Sequence, residues 1–180
     1  EQITRQIVEL VLGLRGPLAY ALLGLLTWAE AAFFLGLVTP GELAIAVGGM
    51  LASRGQLDLA AVAAVATAGT VLSNVTGYWM GKRWGPRIRD WPLFRRWLGR
   101  SFASARVFFR DRGDRAVVVG AFVSYVRIFV PFLAGVSGMP FRRFLAYNVP
   151  AATVWAVAWA LFGFLLGESW RVLQELAGTA

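Results

Sequence analysis

Three ionisable side chains, Glu30, Glu42 and Arg127, lie in stretches that are otherwise apolar. A charge at membrane depth costs at least about 2.5–3.5 kcal/mol on insertion scales, so such residues are expected to have a function. A buried carboxylate resists ionisation and can take up a proton unless a cation faces it. Arginine stays charged, so Arg127 can supply that cation, and it can also bind a phosphate through two parallel hydrogen bonds. Together they suit an anionic headgroup whose movement is linked to protons. The alternative is an ion pair that only fixes two segments together.

The composition indicates that these charges lie in a membrane. Hydrophobic residues make up 58% of the 180 residues and charged residues 16%, against about 45–50% and 25% in soluble proteins. Mean hydropathy is +0.61. The absence of Cys and His excludes thiol catalysis, disulfides, Cys/His zinc sites and a Ser-His-Asp triad. We expect no cofactor and no metal site.

The basic residues are concentrated in one segment rather than spread over the chain. Residues 82–115 contain 11 basic and 3 acidic side chains and therefore carry the whole net charge of +8. A block of this kind between apolar halves is typical of a cytoplasmic loop in a membrane protein, and it argues against nucleic acid as a partner. Leu98, Phe102 and Phe109 recur at helical spacing within it. The segment is predicted to be an amphipathic helix against anionic headgroups.

The apolar halves predict an all-α integral membrane protein. Segments 17–38, 59–80 and 144–167 are each long enough to cross a hydrocarbon core of about 30 Å. The segment 116–139 has basic residues at both ends, and its length does not allow two complete crossings. A re-entrant hairpin, which enters and leaves on the same side, fits this length and its Pro and Gly residues. No signal peptide is visible before the first apolar segment.

The two halves show the same plan, which predicts two inverted repeats. Each has a charged apolar segment, a break that contains proline (Pro40-Gly41 or Pro131) and then a complete span. Paired broken segments of this kind indicate a binding site near the membrane midplane in transporters. The predicted single membrane domain, 1–180, has these parts in order: an N-terminal amphipathic helix, 1–16; a first re-entrant hairpin, 17–53; a transmembrane helix, 57–81; the basic cytoplasmic segment, 82–115; a second re-entrant hairpin, 116–140; a transmembrane helix, 142–167; and a C-terminal tail, 168–180.

Each complete span carries one face of small and polar residues. Asn74, Gly77 and Gly81 form one such face, and Asn148 with several alanines and glycines forms the other. The glycines and alanines predict close helix packing. Asn74 and Asn148 are either hydrogen-bonding contacts between helices or site residues, and the sequence leaves both interpretations open.

Short motifs in a fixed order resemble the DedA family of bacterial inner-membrane proteins, which is related to the VTT (SNARE-associated) domain proteins of eukaryotes. The resemblance covers residues 17–167. The motifs are Glu30 with Thr39-Pro40-Gly41-Glu42, Gly48 to Ala52, Gly77 to Gly85, Arg127 to Met139, and Phe141 to Asn148. The sequence departs from the family where Ala121 and Ser124 replace a usual Arg and Pro, and where Asn74 replaces an Asp. Tyr125 and Asn74 are candidates to compensate.

The resemblance implies a function as well as a fold. It implies two facing re-entrant hairpins and proton-dependent transport of lipid phosphates, with undecaprenyl phosphate as the best-developed case. We therefore expect a non-enzymatic flippase in the bacterial inner membrane with 82–115 on the cytoplasmic side, and we leave the oligomeric state open, a homo-oligomer included. The alternatives are transport of a small ion or solute, a lipid-phosphate enzyme, and a structural scaffold. The expected site comprises Glu30, Glu42 and Arg127, supported by Pro40, Gly41, Asn74, Tyr125, Pro131 and Asn148.

Overall fold

The described part of the chain is helical throughout, as the sequence predicts. The computed structural model describes residues 16–32, 41–89, 107, 116–121, 127 and 129–178. The helices are α1 (Pro17–Ala32), α2 (Gly41–Ser53), α3 (Leu59–Arg89), α4 (Ala116–Ala121), α5 (Val130–Val136) and α6 (Phe141–Gly178).

Two of these helices are long and apolar enough to cross a membrane. The candidate spans are Leu59–Trp84 within α3 and Phe141–Trp170 within α6. Both helices continue beyond the predicted ends of their transmembrane segments, to Arg89 and Gly178. Pro150 lies inside α6. The predicted helix 1–16 and the basic segment beyond Arg89 lie outside the described residues, Gly16 and Val107 aside.

The turn that follows α2 ends that helix and starts α3. Gly55 has a φ of +69°, a left-handed conformation that glycine adopts without steric cost. The Gly55 N–H donates to the carbonyl of Ala52, and the Gln56 N–H donates to that of Leu51. The Asp58 carboxylate then accepts a hydrogen bond of 2.7 Å from the Ala61 N–H, which caps the first turn of α3.

The turn that follows α5 has the same construction. Gly138 has a φ of +72°, its N–H donates to the carbonyl of Gly135, and the Met139 N–H donates to that of Ala134. The hydroxyl of buried Tyr78 also donates to the Met139 carbonyl. Helices α2 and α5, which we call the short helices, therefore each end in a left-handed glycine that leads directly into a long helix.

Each short helix packs against the long helix of the other half of the chain. Helix α2 lies on α6, and α5 lies on α3. A methyl group added at Gly163 would overlap the backbone of Ala46, and one added at Gly81 would overlap the backbone of Phe132. Small residues at both crossings thus let the helix backbones come into direct contact, which confirms the packing interpretation of these glycines.

The order of contacts along these crossings gives the direction of the short helices. Ala46 and Ser53 of α2 meet Gly163 and Gly167 of α6 respectively, so α2 runs parallel to α6. In the same way Pro131 meets Gly77, and Gly135 lies against Tyr78 and Lys82. Helix α5 therefore runs parallel to α3.

Helix α1 completes the first half by packing along α3. Gly69 leaves room for the Thr27 side chain, whose hydroxyl donates to the Leu23 carbonyl at 2.9 Å. The Ser73 hydroxyl donates to the Trp28 carbonyl. In the second half, α4 contacts α5 and α6.

Candidate charged site at the start of the second helix

The first component of the site is a carboxylate at the N-terminal end of α2. Gly41 begins this helix and is buried, and Glu42 follows in the first turn. A negative side chain there is favoured by the helix dipole and by the unpaired N–H groups of the first turn. The position agrees with the expectation that Glu42 opens a short helix.

Arg127 lies directly against that carboxylate. Its Nη2 atom is 3.3 Å from Oε1 of Glu42, and the side chains are 16% and 31% exposed respectively. The structure thus brings together two of the three charges that the sequence selects. We call Glu42 and Arg127 the charged pair. Because both side chains are partly exposed, a ligand can approach this pair.

The indole ring of Trp155 forms the wall beside the guanidinium. The Arg127 guanidinium carbon lies 4.3 Å from the centre of the Trp155 ring, a distance at which the aromatic face attracts the cation. Trp155 is 8% exposed and stands midway along the candidate span Phe141–Trp170. The charged pair is therefore level with the middle of that span.

A hydrogen bond between two asparagine side chains joins α3 to α6. The Asn74 Nδ2 donates to Oδ1 of Asn148 at 2.7 Å. Asn148 is 3% exposed, and its own Nδ2 has no hydrogen-bond partner among the described residues. The bond confirms a hydrogen-bonding contact between the two helices. We call Asn74 and Asn148 the amide pair.

The other residues selected from the sequence are distributed as follows. Glu30 falls in the last turn of α1, but its side chain lies outside the described part of the structure, as do Pro40 and Tyr125. Pro131 is in the first turn of α5 and packs on Gly77. Among the described residues, no group of three or more His, Cys, Asp or Glu side chains could hold a metal ion.

Trp155 was not among the residues selected from the sequence. One signal for it was present, because Trp155 follows Asn148 by seven residues and therefore shares its helix face. In a chain rich in tryptophan this spacing alone did not separate a ring that contacts a charge from one that contacts lipid.

Comparison with known proteins decides the family. The VTT domain matches residues 39–165, which is most of the chain and includes both members of the charged pair. The chain belongs to the VTT domain family. Protein DedA of Escherichia coli K12 is 26% identical over 163 residues, covering 89% of this chain and 74% of its own. This match confirms the resemblance to DedA proteins.

Two further relatives bear on the location and the function. An uncharacterized membrane protein of Synechocystis is 37% identical over 150 residues, covering 80% of this chain, which spans 66% of that relative's length. Undecaprenyl phosphate transporter A of Bacillus subtilis is 24% identical over 163 residues, covering 86% of this chain and 82% of its own. No solved structure gives a significant match. Family and relatives together support a membrane protein.

Proposed function

We propose that this protein moves a lipid phosphate, such as undecaprenyl phosphate or a phospholipid, across the membrane. The observation that carries the proposal is the charged pair, in which an arginine and a carboxylate meet 3.3 Å apart at the level of the middle of a candidate span. The name of the Bacillus subtilis relative, undecaprenyl phosphate transporter A, supports a lipid phosphate as the cargo.

The pair provides a way to bind and release an anion. A phosphate that reaches Arg127 competes with Glu42 for the same guanidinium, which can accommodate phosphate oxygens through two N–H groups at once. Protonation of Glu42 would remove the competing charge and free the arginine, so a proton and a headgroup would enter together. The Trp155 ring would hold the guanidinium in place while its partner changes. Glu30 is the second proposed protonatable group.

We propose that the fold which presents this pair consists of two inverted repeats, each with a re-entrant hairpin. The reciprocal packing of α2 on α6 and of α5 on α3 supports it, as does the left-handed glycine after each short helix. In this arrangement α1 corresponds to α4, α2 to α5, and α3 to α6. The N-terminal ends of both short helices then point towards the interior of the membrane, where broken helices of transporters bind their substrates.

The basic ends of the long helices support a specific orientation. Lys82 and Arg83, near the end of one span, are exposed, as are Arg142 and Arg143 at the beginning of the other. We propose that both ends face the cytoplasm in a bacterial inner membrane, because basic residues are retained on that side. The segment 82–115 would then contact anionic headgroups of the cytoplasmic leaflet.

A reconstituted flipping assay tests the proposal. The full chain is placed in vesicles that contain undecaprenyl phosphate, and the appearance of the phosphate on the opposite leaflet is followed with and without a proton gradient. Arg127→Ala should lower the rate at least about tenfold, since a hydrogen bond to a charged group contributes about 1.5–3 kcal/mol. Glu42→Gln and Glu30→Gln should weaken the response to the gradient. Arg54→Ala, at an exposed arginine after α2, is the matched control and should leave the rate unchanged.

The same vesicles distinguish lipid transport from the other candidate functions. Equal rates for the parent protein and Arg127→Ala would contradict the mechanism. Uptake of a soluble anion without any movement of lipid would favour a solute transporter. Release of inorganic phosphate from the lipid would indicate an enzyme.

A further inference from the structure

The amide pair leaves one buried hydrogen-bond donor unused. Asn148 accepts from Asn74 through Oδ1, its side chain is 3% exposed, and its Nδ2 has no partner in the described part of the chain. Leaving a buried polar group unpaired is unfavourable, so native proteins rarely do it without a reason. In this orientation Oδ1 of Asn148 keeps the bond between the helices, and Nδ2 is left for an acceptor outside the amide pair.

The unused donor lies on the same side of α6 as the charged pair. Asn148 precedes Trp155 by seven residues, which is two helical turns on one face and about 10 Å along the axis. It lies on the side of Trp155 that leads to the basic residues Arg142 and Arg143. Asn74 belongs to the same region, since it is one turn from Gly77, which packs on Pro131 of α5. The amide pair thus lies between the charged pair and the basic end of the span.

We propose that Asn148 is a second headgroup ligand, whose Nδ2 donates a hydrogen bond to a phosphate oxygen on the cytoplasmic side of the charged pair. This inference rests on the proposed transport of a lipid phosphate. Nδ2 can only donate, so it selects an acceptor, and an anionic phosphate oxygen is the strongest acceptor that a lipid headgroup offers. Asn74 acts as a positioning residue, because it holds Oδ1 and so directs Nδ2 away from itself.

A neutral amide at this depth is suited to binding the phosphate headgroup only for a short time. It binds a phosphate less strongly than a guanidinium does, so a headgroup that has met Asn148 first still gains by moving on to Arg127. With about 10 Å between the two levels, one phosphate group contacts them in sequence. Asn148 is therefore expected to affect the apparent affinity for the lipid more than the maximal rate.

The decisive substitution is Asn148→Asp. The aspartate keeps an oxygen for the Asn74 donor and replaces the free N–H by a second carboxyl oxygen, which repels phosphate at a pH high enough to ionise it, and binding is compared at that pH. The apparent affinity for undecaprenyl phosphate should fall about ten- to a hundredfold. Asn148→Gln, which retains an amide donor, should recover part of the loss.

The double variant Asn74→Leu/Asn148→Leu separates ligand binding from helix contact. Replacing both partners of a buried hydrogen bond by apolar groups of similar shape is nearly neutral or stabilising. If Asn148 is a ligand, the double variant melts at or above the parent temperature in detergent but binds lipid phosphate at least about tenfold more weakly. If the amides only join α3 to α6, the double variant is equally stable but binds lipid phosphate with parental affinity, which would overturn the proposal.

Binding and flipping are measured on the full chain with two probes. Quenching of tryptophan fluorescence reports binding of undecaprenyl phosphate in vesicles of phosphatidylethanolamine and phosphatidylglycerol, and inorganic phosphate in buffer is the second probe. Loss of affinity for both probes in Asn148→Asp supports a phosphate ligand of either source, and loss for the lipid alone assigns the site to the headgroup. Parental affinity for both probes contradicts the inference.

The controls keep this result separate from the proposed function. If the parent flips undecaprenyl phosphate and Asn148→Asp does so with the same concentration dependence, the proposed function stands and the role of Asn148 is wrong. If the parent neither binds nor flips the lipid, the proposed function fails and the inference fails with it. Arg54→Ala again serves as the surface control.

Discussion

The two helix crossings of this protein share their geometry and differ in their charge. In the first, α2 lies on α6 with Gly163 against Ala46, and in the second, α5 lies on α3 with Gly81 against Phe132. The acid Glu42 stands in the first turn of α2, whereas the cation Arg127 precedes α5 by three residues. The same scaffold therefore supplies a carboxylate from one half and a guanidinium from the other, and the two meet as a pair.

The surroundings of the crossings differ as well. Tyr78 beside the second crossing is fully buried and stacks on Phe144 with 4.8 Å between ring centres. The core near the first crossing is built from Ile45, Val62, Trp155 and small residues of α6, and its tryptophan also contacts Arg127. The second crossing is thus supported by aromatic packing. The core of the first crossing contains Trp155, which also contacts the charged guanidinium of Arg127.

The largest expected effect comes from adding one methyl group at either crossing. Gly163→Ala and Gly81→Ala would each place a Cβ inside the backbone of the facing helix. Each should lower the free energy of unfolding by about 3 kcal/mol or more, as severe overpacking does, although Gly→Ala normally stabilises an exposed helix by about 1 kcal/mol. Unfolding with sodium dodecyl sulfate in mixed micelles measures the change.

Gly77→Ala is the matched control for the crossings. Its Cβ would lie 3.4 Å from Cβ of Pro131, an ordinary contact, so the free energy of unfolding should change by less than about 1 kcal/mol. A large loss at Gly81 with none at Gly163 would show that the two crossings are not equivalent.

Substitutions at the two left-handed glycines, Gly55 and Gly138, test whether the turn after α2 and the turn after α5 are equivalent. At both Gly55 and Gly138 an added Cβ meets nothing within 4 Å, so only the positive φ opposes a side chain. Alanine at either position should cost about 1–2 kcal/mol in the free energy of unfolding, and asparagine should cost less. The same micelle titration compares the two sites. Costs that differ by more than the uncertainty of the titration would separate the two turns.

The smallest expected effects concern the tyrosines that hold the turns. The Tyr78 hydroxyl donates to the Met139 carbonyl in a buried position, whereas the Tyr20 hydroxyl accepts from the Asp58 N–H at 2.8 Å in an exposed one. Tyr78→Phe should cost about 1 kcal/mol, and Tyr20→Phe less than about 0.5 kcal/mol because water replaces the lost bond. Thermal melting in detergent is the measurement, and a larger loss at Tyr20 would contradict the comparison.

The sequence predicted a helical fold and selected both members of the charged pair. The two uninterrupted apolar segments that carry small-residue faces became the candidate spans, and Glu42 stands in the first turn of a short helix. Its partner was also selected, because Arg127 is a charge that an apolar segment does not retain without a reason.

The contacts between elements were not predictable in the same way. In lipid, buried and lipid-facing side chains are both apolar, so the pattern along a helix does not tell which face meets another helix. For this reason the contact of Trp155 with Arg127 was missed, and the two interpretations of Asn74 and Asn148 stayed open. The continuation of α3 to Arg89 was missed because the basic residues beyond Gly81 suggested a change of segment.

The reciprocal packing of the short helices also has a consequence for how the protein is made. Chains enter the membrane from the N-terminus as they are synthesised. Helix α5 therefore emerges when its partner α3 is already in place, whereas α2 is made before α3 and long before α6. Until α6 arrives, the side of α2 that carries Ala46 and Ser53 has no permanent partner. The first half must remain incompletely assembled during this interval, and α6 then supplies both the packing partner of α2 and the Trp155 ring beside Arg127.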